Sequence, residues 1–129
     1  MNCLVDTHIL LWSLVDPERV PDAMRQLLED AGNRVWFSAA SIWEIAIKHS
    51  LKKQEFDVEP TIIWKAARET GLEELAISAE HAIGVEGLPS IHKDPFDRLL
   101  VAQAHAEGMK LLSIDPKVNA YFARKRVRR

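Results

Sequence analysis

The chain has 129 residues, 47% of them hydrophobic and 28% charged, and a formal net charge of −2. That length makes one domain with a core of its own, and the composition is that of an ordinary α/β or α protein rather than a disordered one. A single Cys3 excludes an internal disulfide framework and a cysteine zinc site, so a cytoplasmic, soluble protein is expected.

Residues 2–6 are a short apolar run with a β-branched residue, which predicts a buried first strand ending at Asp6. Thr7 or His8 then opens a helix to about Leu14, stopped by Asp16-Pro17. Its apolar run, ILLWSLV, is too short to span a bilayer and lacks a basic leader, so neither membrane anchor nor signal peptide is expected. Pro21 and Asp22 mark the first turn of a second helix, with Leu27 and Leu28 inward and Gly32 as its C-cap. Residues 34–37 predict a second strand, and Ser38 caps a helix over residues 39–51. That helix is apolar nearly all round (Ala39, Ala40, Ile42, Trp43, Ile45, Ala46, Ile47), the pattern of a central, buried element. Pro60 begins a helix ending near Thr70, residues 74–77 predict a third strand, and Ser78 caps a short helix. Residues 88–93 read as loop. Asp94-Pro95 starts an amphipathic helix ending at Gly108, and residues 110–114 predict a fourth strand running into an Asp115-Pro116 turn.

Strands alternating with helices predict an α/β fold, a mainly parallel sheet covered on both faces. Residues 1–123 form the one domain, and residues 124–129 a basic tail. Five of the 17 basic residues lie in that tail, which leaves an acidic body of 12 basic against 19 acidic side chains.

Four acids stand inside or beside the most apolar stretches: Asp6 in CLVDTHILLW, Glu44 in SIWEIAIK, Asp97 in PFDRLLVAQA and Asp115 in KLLSIDP. A carboxylate buried without a partner is costly, and a divalent cation would offset the mutual repulsion of several. Asp6 and Asp115 fall at strand ends, where open parallel sheets bind ligands. They meet there if strands one and four are neighbours. Asp97, third in its helix, and Glu44, in the first half of the buried helix, can point to the same rim. Each acid also has a structural reading: Asp94 as N-cap, Asp97 against the helix dipole, Glu44 paired to Lys48, Asp6 and Asp115 as cap and turn opener. The five histidines show no zinc-ligand spacing. His92 and Lys93 either touch substrate or form a solvated loop. The four tryptophans read as core or interface aromatics, with Trp12, Trp64 and Leu14 as candidate interface residues.

The set LVDTH, SIWEIAIK, HKDPFDRLLVAQA and LLSIDPKV, in that order across essentially the whole chain, resembles the PIN-domain ribonucleases and, within them, the VapC-type toxins of bacterial toxin–antitoxin pairs. The resemblance implies a three-layer α/β/α sandwich and an endoribonuclease dependent on Mg2+ (or Mn2+). It implies catalytic roles for Asp6, Glu44, Asp97 and Asp115. Asp6 and Asp97 would anchor the metal; Glu44 and Asp115 would complete the site, hold a second ion or orient water. Thr7, Ser113 and Asp94 would support these carboxylates, with Asp94 as cap or supporting group. Arg98 and Lys48 would hold phosphate or neutralise the cluster. The implied partners are an RNA substrate, a small antitoxin and a second copy of the chain. A receiver domain needs adjacent acids after the first strand, and an aspartate-nucleophile phosphatase a second Asp where His8 stands; neither pattern is present. A non-catalytic RNA- or partner-binding module is the other reading.

Overall fold

The computed structural model describes residues 1–52 and 57–123; the basic tail lies outside the described residues. Four strands, β1 (Asn2–Val5), β2 (Arg34–Ser38), β3 (Glu73–Leu75) and β4 (Lys110–Leu112), form one all-parallel sheet in the order β3-β2-β1-β4. The chain steps outward from β1 to β2 and β3, then returns to lay β4 on the other side of β1. The strand order therefore switches between β1 and β4, the place where an open parallel sheet leaves a crevice beyond its carboxyl ends.

The sheet separates two cores. Cys3 and Val5 face one with Phe37 and Leu112, packed by Ile9, Leu10 and Leu11 of α1 (Thr7–Val15), by Ile45 of α3 (Ala39–Ser50), and by Ile63 and Ala67 of α4 (Pro60–Glu69). Leu4 faces the other with Leu111, packed by Leu100, Val101 and Ala104 of α6 (Pro95–Glu107) and by Val118 and Tyr121 of α7 (Pro116–Ala123). Successive residues of β1 point to opposite sides and both sides are covered, which is why the strand reads as an unbroken apolar run. The result is the expected α/β/α sandwich.

The helices are α2 (Asp22–Glu29), α3 (Ala39–Ser50), α4 (Pro60–Glu69), α5 (Ala79–Gly84), α6 (Pro95–Glu107) and α7 (Pro116–Ala123). Ser38 caps α3 through a bond from the Ala40 N–H, and Gly108 ends α6 in the left-handed conformation (φ 67°). Four details depart from expectation. Helix α2 stops at Glu29 with Asp30 as its C-cap, and Gly32 sits in the turn beyond, where its N–H donates to Asp30. Strands β3 and β4 end at Leu75 and Leu112, each two residues early. Asp115-Pro116 opens a helix rather than a turn: the carboxylate accepts from the Lys117 N–H at 2.9 Å and proline occupies N1. Finally, α3 is not buried all round. Ala40, Ser41, Glu44 and Ile45 are, but Trp43 is 54% exposed and meets Phe96 edge-on.

Candidate active site

Beyond the carboxyl ends of β1 and β4 lies a groove of about 730 Å3, lined on its polar side by Asp6, Thr7, Glu44, Lys48, Asp94, Asp97 and Asp115. Asp6 follows β1 directly and caps α1, accepting from the Ile9 N–H at 2.9 Å. The Ser113 hydroxyl donates to the same carboxylate and accepts from the Asp115 N–H at 3.0 Å. One buried hydroxyl thus couples the end of β4 to the end of β1. Burial raises the Asp6 pKa above the usual carboxylate range, against the opposing pull of those two hydrogen bonds.

Glu44 reaches the groove from the second turn of α3 and is buried. Both its oxygens are held: Oε1 lies 2.7 Å from Thr7 Oγ1, and Oε2 lies 2.8 Å from Lys48 Nζ one turn on. The Thr7 hydroxyl also sits 2.9 Å from Ser41 Oγ. It has a single proton, so it donates to the charged carboxylate and accepts from Ser41. This chain fixes α1 against α3 and leaves Glu44 little rotational freedom.

Asp94 is the N-cap of α6: its Oδ1 accepts from the Phe96 N–H at 2.8 Å and the Asp97 N–H at 3.1 Å. Asp97, one turn in, is pushed up to about 7. Burial is the largest cause, the charges of Asp94, Asp6 and Glu44 add to it, and the His92 ring opposes them. Carboxyl groups from three helices thus share one field, the condition a divalent cation relieves.

His92, for which the sequence offers either a substrate contact or a solvated loop, pairs with two of the candidate carboxylates. Its Nε2 lies 2.9 Å from Asp97 Oδ2 and 3.2 Å from Asp115 Oδ2, and it links the two carboxylates. The ligand-type atoms of His92, Asp97 and Asp115 all fall within 4.8 Å of one another. The available signal was position: His92 stands two residues before the Asp94-Pro95 cap, close enough to fold back over the helix start. Zinc-ligand spacing, absent as read, does not bear on a histidine that pairs with carboxylates. The Asp6, Glu44, Asp97 and Asp115 carboxylates that line the groove are hard oxygen donors of the kind Mg2+ or Mn2+ takes, and His92 bridges two of them.

Arg98 does not face the groove. Its guanidinium donates to the Val85, Pro89 and His92 carbonyls at 3.0, 3.1 and 3.4 Å and to the Tyr121 hydroxyl at 3.2 Å. It fastens the segment carrying His92 to α6 and α7, in place of the phosphate or neutralising contact expected of it. Lys48, by contrast, is paired to Glu44 as the sequence spacing indicated. No helix among the described residues is long and apolar enough to cross a membrane.

Comparison with known proteins bears on the family and the fold. The PIN domain family model matches residues 3–124. Ribonuclease VapC22 of Mycobacterium tuberculosis (strain ATCC 25618 / H37Rv) is 26% identical over 119 residues, covering 92% of this chain and 90% of its own. Among solved structures, VapBC2 of Rickettsia felis, bound to a DNA fragment from its promoter, superposes with a TM-score of 0.65 at 19% identity, covering 89% of this chain and 88% of that one. VapBC-1 of nontypeable Haemophilus influenzae gives 0.64 at 16% identity, covering 96% and 94%. At such identities the structures speak for the fold.

Proposed function

The chain belongs to the PIN-domain family, and on that premise we propose that it is a metal-dependent endoribonuclease, the VapC-type toxin of a toxin–antitoxin pair, neutralised by a small antitoxin and acting as a homodimer in the cytoplasm. The observation that carries this reading is the convergence of Asp6, Glu44, Asp97 and Asp115 on one groove at the β1–β4 switch point. The named relatives, a VapC ribonuclease and two VapBC pairs, support the toxin and antitoxin parts of it.

Mg2+ (or Mn2+) would be held by Asp6 and Asp97, with Glu44 and Asp115 engaged directly or through water. When bound, it supplies positive charge to offset the phosphate oxygens and lowers the pKa of nearby water. The protein's own groups do the rest. Ser113 and the Ile9 N–H orient Asp6, and Thr7 and Lys48 hold Glu44 at both oxygens. His92 keeps Asp97 and Asp115 at a fixed separation despite their like charge. The N-termini of α1, α6 and α7 bring partial positive charge to the same rim. Attack by water in line with the leaving oxygen then gives a 3′-hydroxyl and a 5′-phosphate.

The test is incubation of purified protein with labelled total RNA in Mg2+, in chelator, and as Asp6→Asn in Mg2+. Discrete fragments that require Mg2+ and vanish in the variant are expected. Tight RNA binding without cleavage under any condition would replace the enzyme by a binding module.

A further inference from the structure

The acid-lined groove continues along α1, where its far wall carries Trp12 and Arg19. The Arg19 guanidinium lies over the indole, with Cζ 4.5 Å from the ring centroid, a cation–π contact. Arg19 is exposed and Trp12 half-buried. The short turn Pro17–Arg19 that presents the guanidinium is itself braced, because Arg25 donates to the Pro17 and Val20 carbonyls at 3.0 and 3.1 Å.

A guanidinium stacked on a ring keeps its in-plane N–H groups clear, and that fork matches a phosphate. None of the other described arginines lines the groove. Arg25 and Arg98 serve carbonyls, Arg34 is paired with Glu73, and Arg68 stacks on Trp64 away from the groove. Arg19 makes no hydrogen bond or ion pair with the described residues, and its charge sits at the end of a groove whose other cation, Lys48, is bound to Glu44. An orientated, unneutralised guanidinium beyond an acidic centre serves an anionic chain that must extend past that centre. Trp12 lies six residues from Asp6, about 9 Å along the helix axis, the scale of a neighbouring nucleotide.

We infer that Arg19, held by Trp12, binds a backbone phosphate of single-stranded RNA beside the nucleotide being cleaved. Arg19 is then a substrate-binding residue and Trp12 its positioning residue. The inference rests on the proposed ribonuclease reading but is separable from it by experiment.

The affinity of a fluorescein-labelled single-stranded oligoribonucleotide is measured by anisotropy in Ca2+ across a salt series, and its cleavage in Mg2+. Arg19→Ala is expected to weaken binding about 5- to 10-fold and to lower the slope of log K against log salt by about 0.7, one phosphate contact on a single strand. KM rises in proportion while kcat stays within twofold. Arg19→Lys retains the slope and recovers part of the affinity, since it keeps the charge but not the fork. Trp12→Leu weakens binding, and the double variant binds no worse than Arg19→Ala alone, because Trp12 acts through Arg19. Thermal unfolding confirms that each variant is folded, and Arg19→Ala, at an exposed site, decides the matter if Trp12→Leu is not. Binding that depends on Arg19 with no cleavage by any variant would sustain this inference while the nuclease reading fell. Unchanged Kd, KM and salt slope in Arg19→Ala, the outcome expected if a protein partner occupies this wall, would overturn it, as would failure of the wild type to bind RNA.

Discussion

Two histidines in this fold face carboxylates, and their surroundings could hardly differ more. Buried His81 accepts from the Ser78 N–H at Nδ1 (3.0 Å), and its Nε2 meets Glu107 at 2.8 Å. Gln103 lies against the same ring, donates to the Ala76 carbonyl and accepts from the Ser38 hydroxyl. Every polar atom there has a complementary neighbour, and the network ties the cap of α3 to α5 and α6. His92, at the groove, sits instead between Asp97 and Asp115, in a field to which Asp6, Glu44 and Asp94 add more negative charge. The first arrangement is complete within the chain and needs nothing else. The second gathers like charges that the chain's own groups offset only in part. Burial of polar groups alone therefore does not mark a functional site; burial of like charges around a shared groove does.

Substitutions in the two regions should separate activity from stability. The largest effect is expected from Asp6→Asn, which removes a carboxylate from the groove but keeps its shape and its cap: cleavage should fall about 10³-fold, with the melting temperature unchanged or raised. A comparable loss of melting temperature would place Asp6 with the structural network instead. Gln103→Leu should do the reverse. It strips buried partners from Ser38, Ala76 and His81, at a cost of about 2–4 kcal/mol, while the folded fraction cleaves at the wild-type rate. Calorimetry and an active-site-normalised assay distinguish the two. Thr7→Val tests the border between them, since the hydroxyl lies in a buried chain yet ends on Glu44. Activity should drop about 10- to 100-fold through a misplaced Glu44, with a stability loss of about 1 kcal/mol. Wild-type activity in this variant would show that Lys48 alone suffices to place Glu44.

The contrast also explains what the sequence could and could not disclose. Elements whose boundaries are set locally were legible: Ser38, Asp94-Pro95 and Gly108 announce caps that the structure reproduces. So was the gathering of Asp6, Glu44, Asp97 and Asp115, because acids in apolar runs need an explanation that local structure does not supply. Tertiary facts were not legible. Trp43 extends an apolar pattern, but only packing against Phe96 at the rim decides that it stays half in solvent. Arg98 beside Asp97 reads as a phosphate ligand or a neutralising charge until the loop carbonyls it serves are in place. His92 joins the site through tertiary contacts: its carbonyl accepts from Arg98 and its N–H donates to the Tyr121 hydroxyl. The Asp115-Pro116 pair can open either a turn or a helix, and the apolar contacts of Val118 and Tyr121 settle which.

The smallest effect is the most specific to the acidic region, because its sign is opposite to that of an ordinary ion-paired aspartate. The Asp97 pKa in the fold is about 7, against 3.8 for the free group. The native state therefore holds a proton that the unfolded chain has released between those values, and stability falls as pH rises through the window. The contribution is fully present below about pH 4 and gone above about pH 7. Because water reaches the groove, the expected loss in metal-free protein is about 1–2 kcal/mol rather than the full shift, a few degrees in melting temperature. Asp6, raised in the same direction, adds to it. Mg2+ competes with that proton, so the rise in melting temperature on adding Mg2+ should grow from pH 5 to pH 8. Asp97→Asn should flatten both curves, whereas Gln103→Leu should lower the whole curve without changing its slope. A metal-free melting temperature whose pH dependence is the same in wild type and Asp97→Asn would show that Asp97 titrates normally, and that its neighbours are too far away to make the groove a shared site.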